Sequence, residues 1–322
     1  TMGRMIKAKD GNNYWLQPDK WLEAAYTPNK RQEYGVSLSG RSELANYFFS
    51  SGYLNDKGYT VGSDFNRFTS RLRGDYRPKK WLNMGGNIAY TNYKSNLLLN
   101  TEHSGDSGNI FAVADGMAPI YPLYVRDANK QVMIDPRNGQ KIYDYGKSQY
   151  PGLVRPNFSD ANPIAANLYD LNEYAAQVLG LRSYIDFLIP YDFKLTFNVG
   201  YDLDDTYRTN KDNAYYGQSA AKGGYISKRF TRYTTLNLQQ LLNWNHAYGE
   251  NHIDILLGHE FYKYSGENLA ADRSNFYHPG ARELDGAIGT PSANSSRSNY
   301  RVEGYLGRAQ YDWAEKYFVS LS

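Results

Sequence analysis

The chain has 322 residues, and its 36 basic and 33 acidic side chains leave a net charge of +3, which is too small to indicate binding to nucleic acid. It contains no cysteine, which excludes disulfides, thiolate metal sites and cysteine nucleophiles. Mean hydropathy is −0.69 and no apolar run approaches the roughly 18 residues of a membrane helix, so a helical membrane protein is excluded.

Residues 1–31 are a polar lead-in segment. Its start is polar and basic without a signal peptide, and the run Lys20–Glu23 around Trp21 predicts one helical turn. At the other end, residues 317–322 stop within an alternating strand. Both ends look cut, and we expect the chain to be a fragment of a longer protein.

After the lead-in, alternation of apolar and polar residues predicts β-strands. In the stretch Gln177–Leu203, two alternating runs joined by a turn at Pro190–Asp192 predict a β-hairpin. Similar runs predict about ten strands in five hairpins, with polar loops at Asn55–Asp64, Asp204–Gly224 and Ser265–Asn299. The apolar face of each strand would cover a core in a soluble protein, or contact lipid in a transmembrane barrel.

One strand favours the barrel over the soluble core. Arg67, Arg71 and Arg73 share the strand face opposite Phe68 and Leu72. Three arginines on one face are difficult to place in a core because buried charges need partners, whereas a water-filled lumen accommodates them. We predict that these arginines face a lumen, where they either line a path for a ligand or pair with acidic residues on another part of the protein.

A long region at about residues 95–172 interrupts the strands. Within it, Tyr121–Asp127, Lys130–Ile134 and Lys141–Tyr145 have the composition of short strands. The two connections between them contain Asp, Asn, Pro and Gly, which favour tight turns. The region is therefore predicted to be an ordered loop insertion.

The connections between strands alternate strictly between short turns and long loops. A soluble sandwich gives no reason for this, whereas an outer-membrane barrel has short periplasmic turns and long extracellular loops. Aromatic residues flank four of the five short turns, where an interfacial girdle is expected; ordinary packing at hairpin ends is the alternative. These residues are Tyr76, Trp81, Phe187, Phe193, Trp244, Tyr248, Trp313 and Tyr317. The predicted fold class is all-β, part of a large antiparallel transmembrane β-barrel in which Leu195 faces lipid.

Several segments of the chain, taken in order, carry a further signal. They are Tyr34–Gly40, Asn46–Tyr53, Gly58, Ser63–Arg67, Trp81–Asn87, Ala118–Tyr124, Tyr143–Tyr145 and Gly307–Tyr311 with Lys316 and Tyr317. Together these segments resemble the SusC/RagA-type TonB-dependent transporters, and the likeness covers most of residues 21–322.

This resemblance implies a barrel of about 22 strands around an N-terminal plug, set in the outer membrane lipid of a Bacteroidetes-like Gram-negative bacterium. Such transporters import oligosaccharides or oligopeptides under a SusD-like surface lipoprotein, with energy delivered by TonB–ExbB–ExbD. We expect residues 32–322 to be a partial barrel of about ten strands, with the plug and the TonB-contacting segment outside this chain. A passive or structural outer-membrane barrel and a soluble all-β glycan-binding or adhesive domain are the alternatives.

The sequence carries no pattern of an enzyme active site, because nucleophile-elbow, dinucleotide-binding, P-loop and zinc-protease motifs are missing. Its five histidines are scattered. Asp202, Asp204 and Asp205 lack the spacing of a calcium-binding loop and are interpreted as the start of a solvated loop. We predict no catalysis, no cofactor and no metal site.

Six loop tyrosines are the candidate ligand contacts, since aromatic rings beside polar groups suit sugars and peptides. The alternative is that they pack the loops against one another. They are Tyr121, Tyr124, Tyr143, Tyr145, Tyr215 and Tyr216.

Overall fold

Two β-sheets, three short α-helices and two 3₁₀ helices (Ala220–Lys222 and Leu284–Gly286) account for the regular structure of the computed structural model, which describes residues 3–8, 10–98, 109–146, 155, 158–159, 161–217 and 219–322. The small sheet pairs β1 (Arg4–Lys7) with β2 (Asn13–Leu16). The large sheet consists of β3 (Arg31–Arg41), β4 (Ala45–Lys57), β5 (Asp64–Lys79), β6 (Leu82–Asn96), β7 (Leu171–Ile189), β8 (Phe193–Asp212), β9 (Tyr225–Tyr248), β10 (Asn251–Ser274), β11 (Ser292–Trp313) and β12 (Tyr317–Leu321). The helices are α1 (Trp21–Ala25), α2 (Ile110–Gly116) and α3 (Pro163–Tyr169). None of these helices is long and apolar enough to cross a membrane.

The large sheet is an antiparallel meander, in which each strand pairs with its neighbours in sequence and β3 and β12 form the two edges. It contains the five predicted hairpins. Their turns lie at one end of the sheet, at residues 42–44, 80–81, 190–192, 249–250 and 314–316. The longer connections lie at the other end, at residues 58–63, 97–170, 213–224 and 275–291. Because β3 runs toward the short turns, the lead-in segment before it also lies at the long-loop end.

Strand register gives the sheet one apolar and one polar face. A row of directly paired residues on the apolar face runs Leu72, Ile88, Leu181, Tyr201 and Leu236 across five strands. The neighbouring row on the polar face runs Arg71, Ala89, Gly180, Asp202 and Thr235. Since residues i and i+2 share a strand face, this pairing extends the sequence alternation across these five strands.

The apolar face has the height of a membrane. On β8 the apolar alternation runs from Phe193 to Leu203, after which Asp205 occupies the same face. Eleven extended residues cover roughly 36 Å, and a strand tilt of about 45° reduces this to about 25 Å, the height of the apolar band of outer-membrane barrels. At the edge of this band nearest the short turns, Phe193 stacks with Trp244 at a ring-centroid distance of 6.1 Å.

Two loop boundaries predicted from the sequence are wrong. β8 continues to Asp212, so Asp204 and Asp205 lie within a strand rather than at the start of a loop. Likewise β10 continues to Ser274 and β11 begins at Ser292, inside the region predicted as a polar loop. Beyond the apolar band polar residues occupy both faces of a strand, so they no longer indicate where strand pairing ends.

Above the long-loop end lies a small second core, which we call the loop cap: residues 10–26, 109–146, 161–170 and 213–217. The predicted helical turn is present as α1, and its Trp21 donates a hydrogen bond from Nε1 to the Tyr121 carbonyl over 3.0 Å. The three short strands predicted in the insertion pair through isolated bridges, such as Tyr124 with Tyr143, and through backbone hydrogen bonds, such as Val125 N to the Ile142 carbonyl over 2.9 Å. Backbone pairing and side-chain packing together order this region.

Candidate ligand-binding surfaces

The six candidate tyrosines all belong to the loop cap, but they divide by exposure. Tyr143, Tyr145 and Tyr216 are buried, with exposed fractions of 5%, 4% and 7%. Their rings contact other tyrosines of the cap, including Tyr124 with Tyr143 at 4.8 Å between centroids and Tyr145 with Tyr216 at 6.1 Å. In this structure these three rings pack the loops together and do not offer a surface to a ligand.

The other three candidates, Tyr121, Tyr124 and Tyr215, are partly exposed. Arg137 lies over the Tyr215 ring at 4.7 Å and Lys141 over the Tyr124 ring at 5.3 Å. A cation held on an aromatic face has charge and flat apolar area side by side. We therefore retain Tyr121, Tyr124 and Tyr215 as the candidate ligand contacts.

A buried carboxylate connects the two loops that supply these tyrosines. Asp135 is 1% exposed and accepts hydrogen bonds from Arg137, including Nη2 to Oδ2 at 2.6 Å, and from the Tyr216 hydroxyl. The hydrogen bonds from Arg137 hold the pKa of Asp135 well below its usual range, although burial acts in the opposite direction. Asp135 thus stays ionised and joins the β6–β7 insertion to the β8–β9 loop.

A second carboxylate contact joins the same two loops. Asp170 follows α3, and its Oδ1 accepts hydrogen bonds from the backbone N and the side-chain Nδ2 of Asn213, at 2.8 and 2.7 Å. Burial raises the pKa of Asp170 to about 6, while the hydrogen bonds from Asn213 lower it. Sequence reasoning missed Asp135 and Asp170; their positions at the start of a turn and the end of a helix were the only local signal.

The lead-in segment is attached to the loop cap by an ion pair. Arg126 and Asp19 form two hydrogen bonds, of 2.8 and 2.7 Å. Their side chains are only 8% and 13% exposed. The same Asp19 carboxylate accepts from the backbone N of Leu123 at 2.8 Å. Residues distant in sequence therefore form one unit at the long-loop end.

The predicted arginines lie on the polar face with different partners. Arg73 is 3.5 Å from the Asp75 carboxylate, and Arg71 donates from Nε to the Asn87 amide oxygen at 3.0 Å. Arg67 is directly paired with Tyr93 of β6. The structure does not bring the three arginines to one point, because they are spaced along a single strand.

A depression of about 540 Å³ lies on the polar face between β5 and β10 and was not predicted. Its wall includes Arg182 and Asp202, joined by hydrogen bonds of 2.9 and 2.8 Å, and Thr235, which donates to Asp202 at 2.9 Å. This volume is in the usual range of ligand pockets. Across the described ranges, no three His, Asp or Glu side chains converge as a metal site would require.

Known proteins share this architecture. No protein-family model matches the chain. The curated TonB-dependent receptor P3 of Formosa agariphila is 22% identical over 316 residues, which is 94% of this chain and 28% of that receptor. The solved RagAB peptide transporter aligns with 94% of the chain at a TM-score of 0.73 and 17% identity, and the alignment covers 32% of the transporter chain. The RagAB peptide importer in its closed-closed state aligns with 99% of the chain at a TM-score of 0.73, 18% identity and 33% coverage of that chain.

The fold is that of a TonB-dependent transporter barrel. The resemblance to SusC/RagA-type transporters is confirmed by these comparisons, as is the fold class predicted from alternation. In a TonB-dependent transporter barrel the apolar face contacts lipid and the polar face lines the lumen. The chain spans about a third or less of the relatives it matches.

Proposed function

We propose that this chain is the part of an outer-membrane TonB-dependent transporter that imports oligosaccharides or oligopeptides. The observation that carries the proposal is the alignment of 94–99% of the chain with a peptide transporter at a TM-score of 0.73. The aligned neighbours favour peptides as the first substrates to test, since both are named for peptide transport.

The two surfaces described above have separate roles in this proposal. The loop cap is the entrance, where Tyr121, Tyr124 and Tyr215 contact substrate while the buried tyrosines and Asp135 hold the loops in place. The depression beside Arg182 and Asp202 is part of the lumen wall, along which the substrate passes. Closure of the barrel requires strands beyond β3 and β12, because each pairs on one side only among the described residues.

The proposed partners follow from the resemblance. A SusD-like surface lipoprotein would close over the loop cap, and the long loops supply the platform for it. TonB–ExbB–ExbD would deliver energy through a segment outside this chain. The location that supports both contacts is the outer membrane of a Gram-negative, Bacteroidetes-like bacterium, with the short turns in the periplasm and the loop cap outside.

The proposal is tested by deleting the gene that encodes the chain in its own organism. We expect the deletion strain to lose growth on one class of oligopeptide or oligosaccharide, while growth on the corresponding monomers is unchanged. Uptake by the wild type should stop when the proton gradient is collapsed with an uncoupler, since TonB-dependent import needs that gradient.

Two other outcomes would support the alternatives. Uptake that continues with uncoupler would indicate a passive barrel, and recovery of the protein outside the membrane fraction would indicate a soluble binding domain. Normal growth of the deletion strain on every oligomer tested would contradict import.

A further inference from the structure

Two arginines lie side by side on neighbouring strands of the polar face, near the loop cap. Arg208 on β8 and Arg229 on β9 are direct partners in the antiparallel register, and both are exposed. Direct partners have Cα atoms about 4.5–5.5 Å apart, and like charges in that arrangement destabilise a sheet. The pair therefore destabilises the sheet locally, and a function of the two side chains would explain why both are present.

The immediate neighbours of these arginines in their row are not acidic. On either side the row continues with Tyr174 on β7 and Ala270 on β10. Among the described residues neither arginine has a carboxylate within 4.0 Å; Arg208 donates only to the neutral Asn172 amide oxygen, at 3.3 Å. Asp272 is diagonal to Arg229, one row nearer the loops, a separation of roughly 7–8 Å.

Three of the other arginines on the polar face have acidic neighbours. Arg73, Arg182 and Arg308 each have a carboxylate partner, at 3.5, 2.8 and 3.3 Å. The sheet thus supplies acids for some cations elsewhere on this face, whereas Arg71 donates to the neutral Asn87 amide oxygen. At Arg208 and Arg229 it supplies neutral side chains instead, including Thr206, Thr231 and Asn172, all on the same face by register.

Two adjacent guanidinium groups without a carboxylate partner are an arrangement that proteins use for a carboxylate, sulfate or phosphate group. We propose that Arg208 and Arg229 form a subsite for an anionic group on the transported oligomer, so that the transporter prefers acidic oligopeptides or acidic oligosaccharides over neutral ones. The subsite lies on the lumen wall between the loop cap and the depression beside Arg182, where an entering substrate would meet it. This inference rests on the proposed function for the identity of the ligand.

The test uses the full-length transporter purified in detergent micelles and two matched probe pairs. One pair is a Glu-containing pentapeptide and its Gln-containing analogue; the other is an oligo-uronate and a neutral oligosaccharide of equal length. We expect the wild type to bind the acidic member of at least one pair tighter. Arg208→Gln combined with Arg229→Gln should lower that affinity on the order of tenfold or more, since two charge-assisted contacts are lost, and should leave the neutral member unaffected.

Lys228→Gln is the matched control. Lys228 adjoins Arg229 but lies on the opposite face of β9, paired with Glu283 at 2.5 Å, so its substitution removes the same charge without touching the lumen. Equal affinity of wild type for both members of each pair, or an unchanged acidic preference in the double variant, would overturn the subsite. Import of neutral oligomers with no charge preference would overturn the subsite alone and leave the proposed function intact.

A second measurement requires no transported substrate. Phenylglyoxal modifies accessible arginines, and peptide mass spectrometry reports the rate at Arg208 and Arg229 separately. We expect sodium sulfate to slow modification of these two residues more than sodium chloride at equal ionic strength, with Arg41 at the short-turn end unaffected. Resistance to modification without added sulfate would show that an acidic group of the full-length protein already occupies the pair, and would contradict the proposal.

Discussion

Individual side chains of the loop cap hold together loops that are far apart in sequence. The Tyr216 hydroxyl and the Asp135 carboxylate are separated by 81 positions, and the carboxylate is buried. A buried carboxylate that loses a donor keeps its desolvation cost. The contribution of each such contact can therefore be measured by removing one atom.

Tyr216→Phe removes only the hydroxyl that donates to Asp135. We expect the free energy of opening the β8–β9 loop to fall by about 1–3 kcal/mol, the usual effect of removing a hydrogen bond to a buried charged group. Amide hydrogen exchange at residues 213–217 in the full-length protein measures this. Tyr215→Phe is the control, because the Tyr215 ring is partly exposed and its contact to Arg137 is through the ring face. Equal exchange in the two variants would show that the Asp135 contact does not hold the loop.

Asp170 predicts a pH dependence of the same loop. Its folded-state pKa of about 6 lies above the ordinary 3.8, so the folded loop favours the protonated acid. The stability that this provides is fully present below about pH 4 and is lost as pH rises through 6, a change of about 3 kcal/mol. Hydrogen exchange at residues 213–217, measured from pH 4 to pH 7, should show this loss.

Asp170→Asn tests the assignment, because its amide oxygen can still accept from Asn213 but carries no charge. We expect the variant loop to be as stable at pH 7 as at pH 4, and more stable than wild type at pH 7. Asp285→Asn, at a fully exposed side chain on another long loop, should leave the wild-type profile unchanged. A variant with the wild-type pH profile would assign the titration to another group.

At the scale of single strands, the apolar face makes membrane depth measurable. β8 spans the apolar band between Phe193 and Leu203, so Val199 lies near its middle and Leu195 nearer the aromatic edge. An arginine on the lipid face lowers the free energy of unfolding of a barrel by about 2–4 kcal/mol at the bilayer midplane and by about 0–1 kcal/mol near the membrane–water interface. We expect Val199→Arg to destabilise the full-length barrel in lipid vesicles by about 2–4 kcal/mol and Leu195→Arg by less.

Asn198→Arg is the matched control on the polar face, one residue from Val199. Urea titration of the refolded barrel measures all three variants. A cost for Asn198→Arg equal to that of Val199→Arg would show that both faces of β8 meet the same environment, which would contradict the lipid and lumen assignments.

The same strand shows which parts of the fold the sequence predicts. Within the apolar band the two strand faces differ in polarity, so alternation is strong, and the hairpins and the division into an apolar and a polar face were predicted correctly. Past Leu203 the contrast disappears, because Asp205 accepts a hydrogen bond from Arg232 on the same face as Leu203. The ends of β8, β10 and β11 were therefore beyond prediction.

The candidate tyrosines show a related limit. Aromatic composition indicated which loops matter, but the burial of Tyr216 depends on Asp135 and Tyr145, which belong to another loop. The Arg208–Arg229 pair can be recognised only when the register between β8 and β9 is known. Such contacts join residues that no local pattern relates, so only the three-dimensional structure separates packing rings from exposed ones.

At the scale of the whole molecule, the loop cap unites the lead-in segment with the long insertion. Asp19 and Arg126 are 107 positions apart and both are nearly buried. Removing one member of a buried pair leaves the other charge uncompensated, which costs about 3–5 kcal/mol. We expect Asp19→Ala to detach residues 10–26 from the rest of the loop cap and expose them to protease on intact cells, while the barrel itself remains folded.

The lead-in segment contains its own control for this prediction. Glu23 pairs with Lys20 only four residues from Asp19, but both side chains are largely exposed, at 69% and 77%, where an ion pair contributes about 0–1 kcal/mol. Glu23→Ala should therefore leave protease resistance unchanged. Replacing both charges of the buried pair, as Asp19→Leu with Arg126→Leu, should restore part of the resistance lost in Asp19→Ala, since no charge is left unpaired. Protease sensitivity that is equal in the Asp19 and Glu23 variants would mean that the segment is held by Trp21 and its apolar neighbours rather than by the buried ion pair.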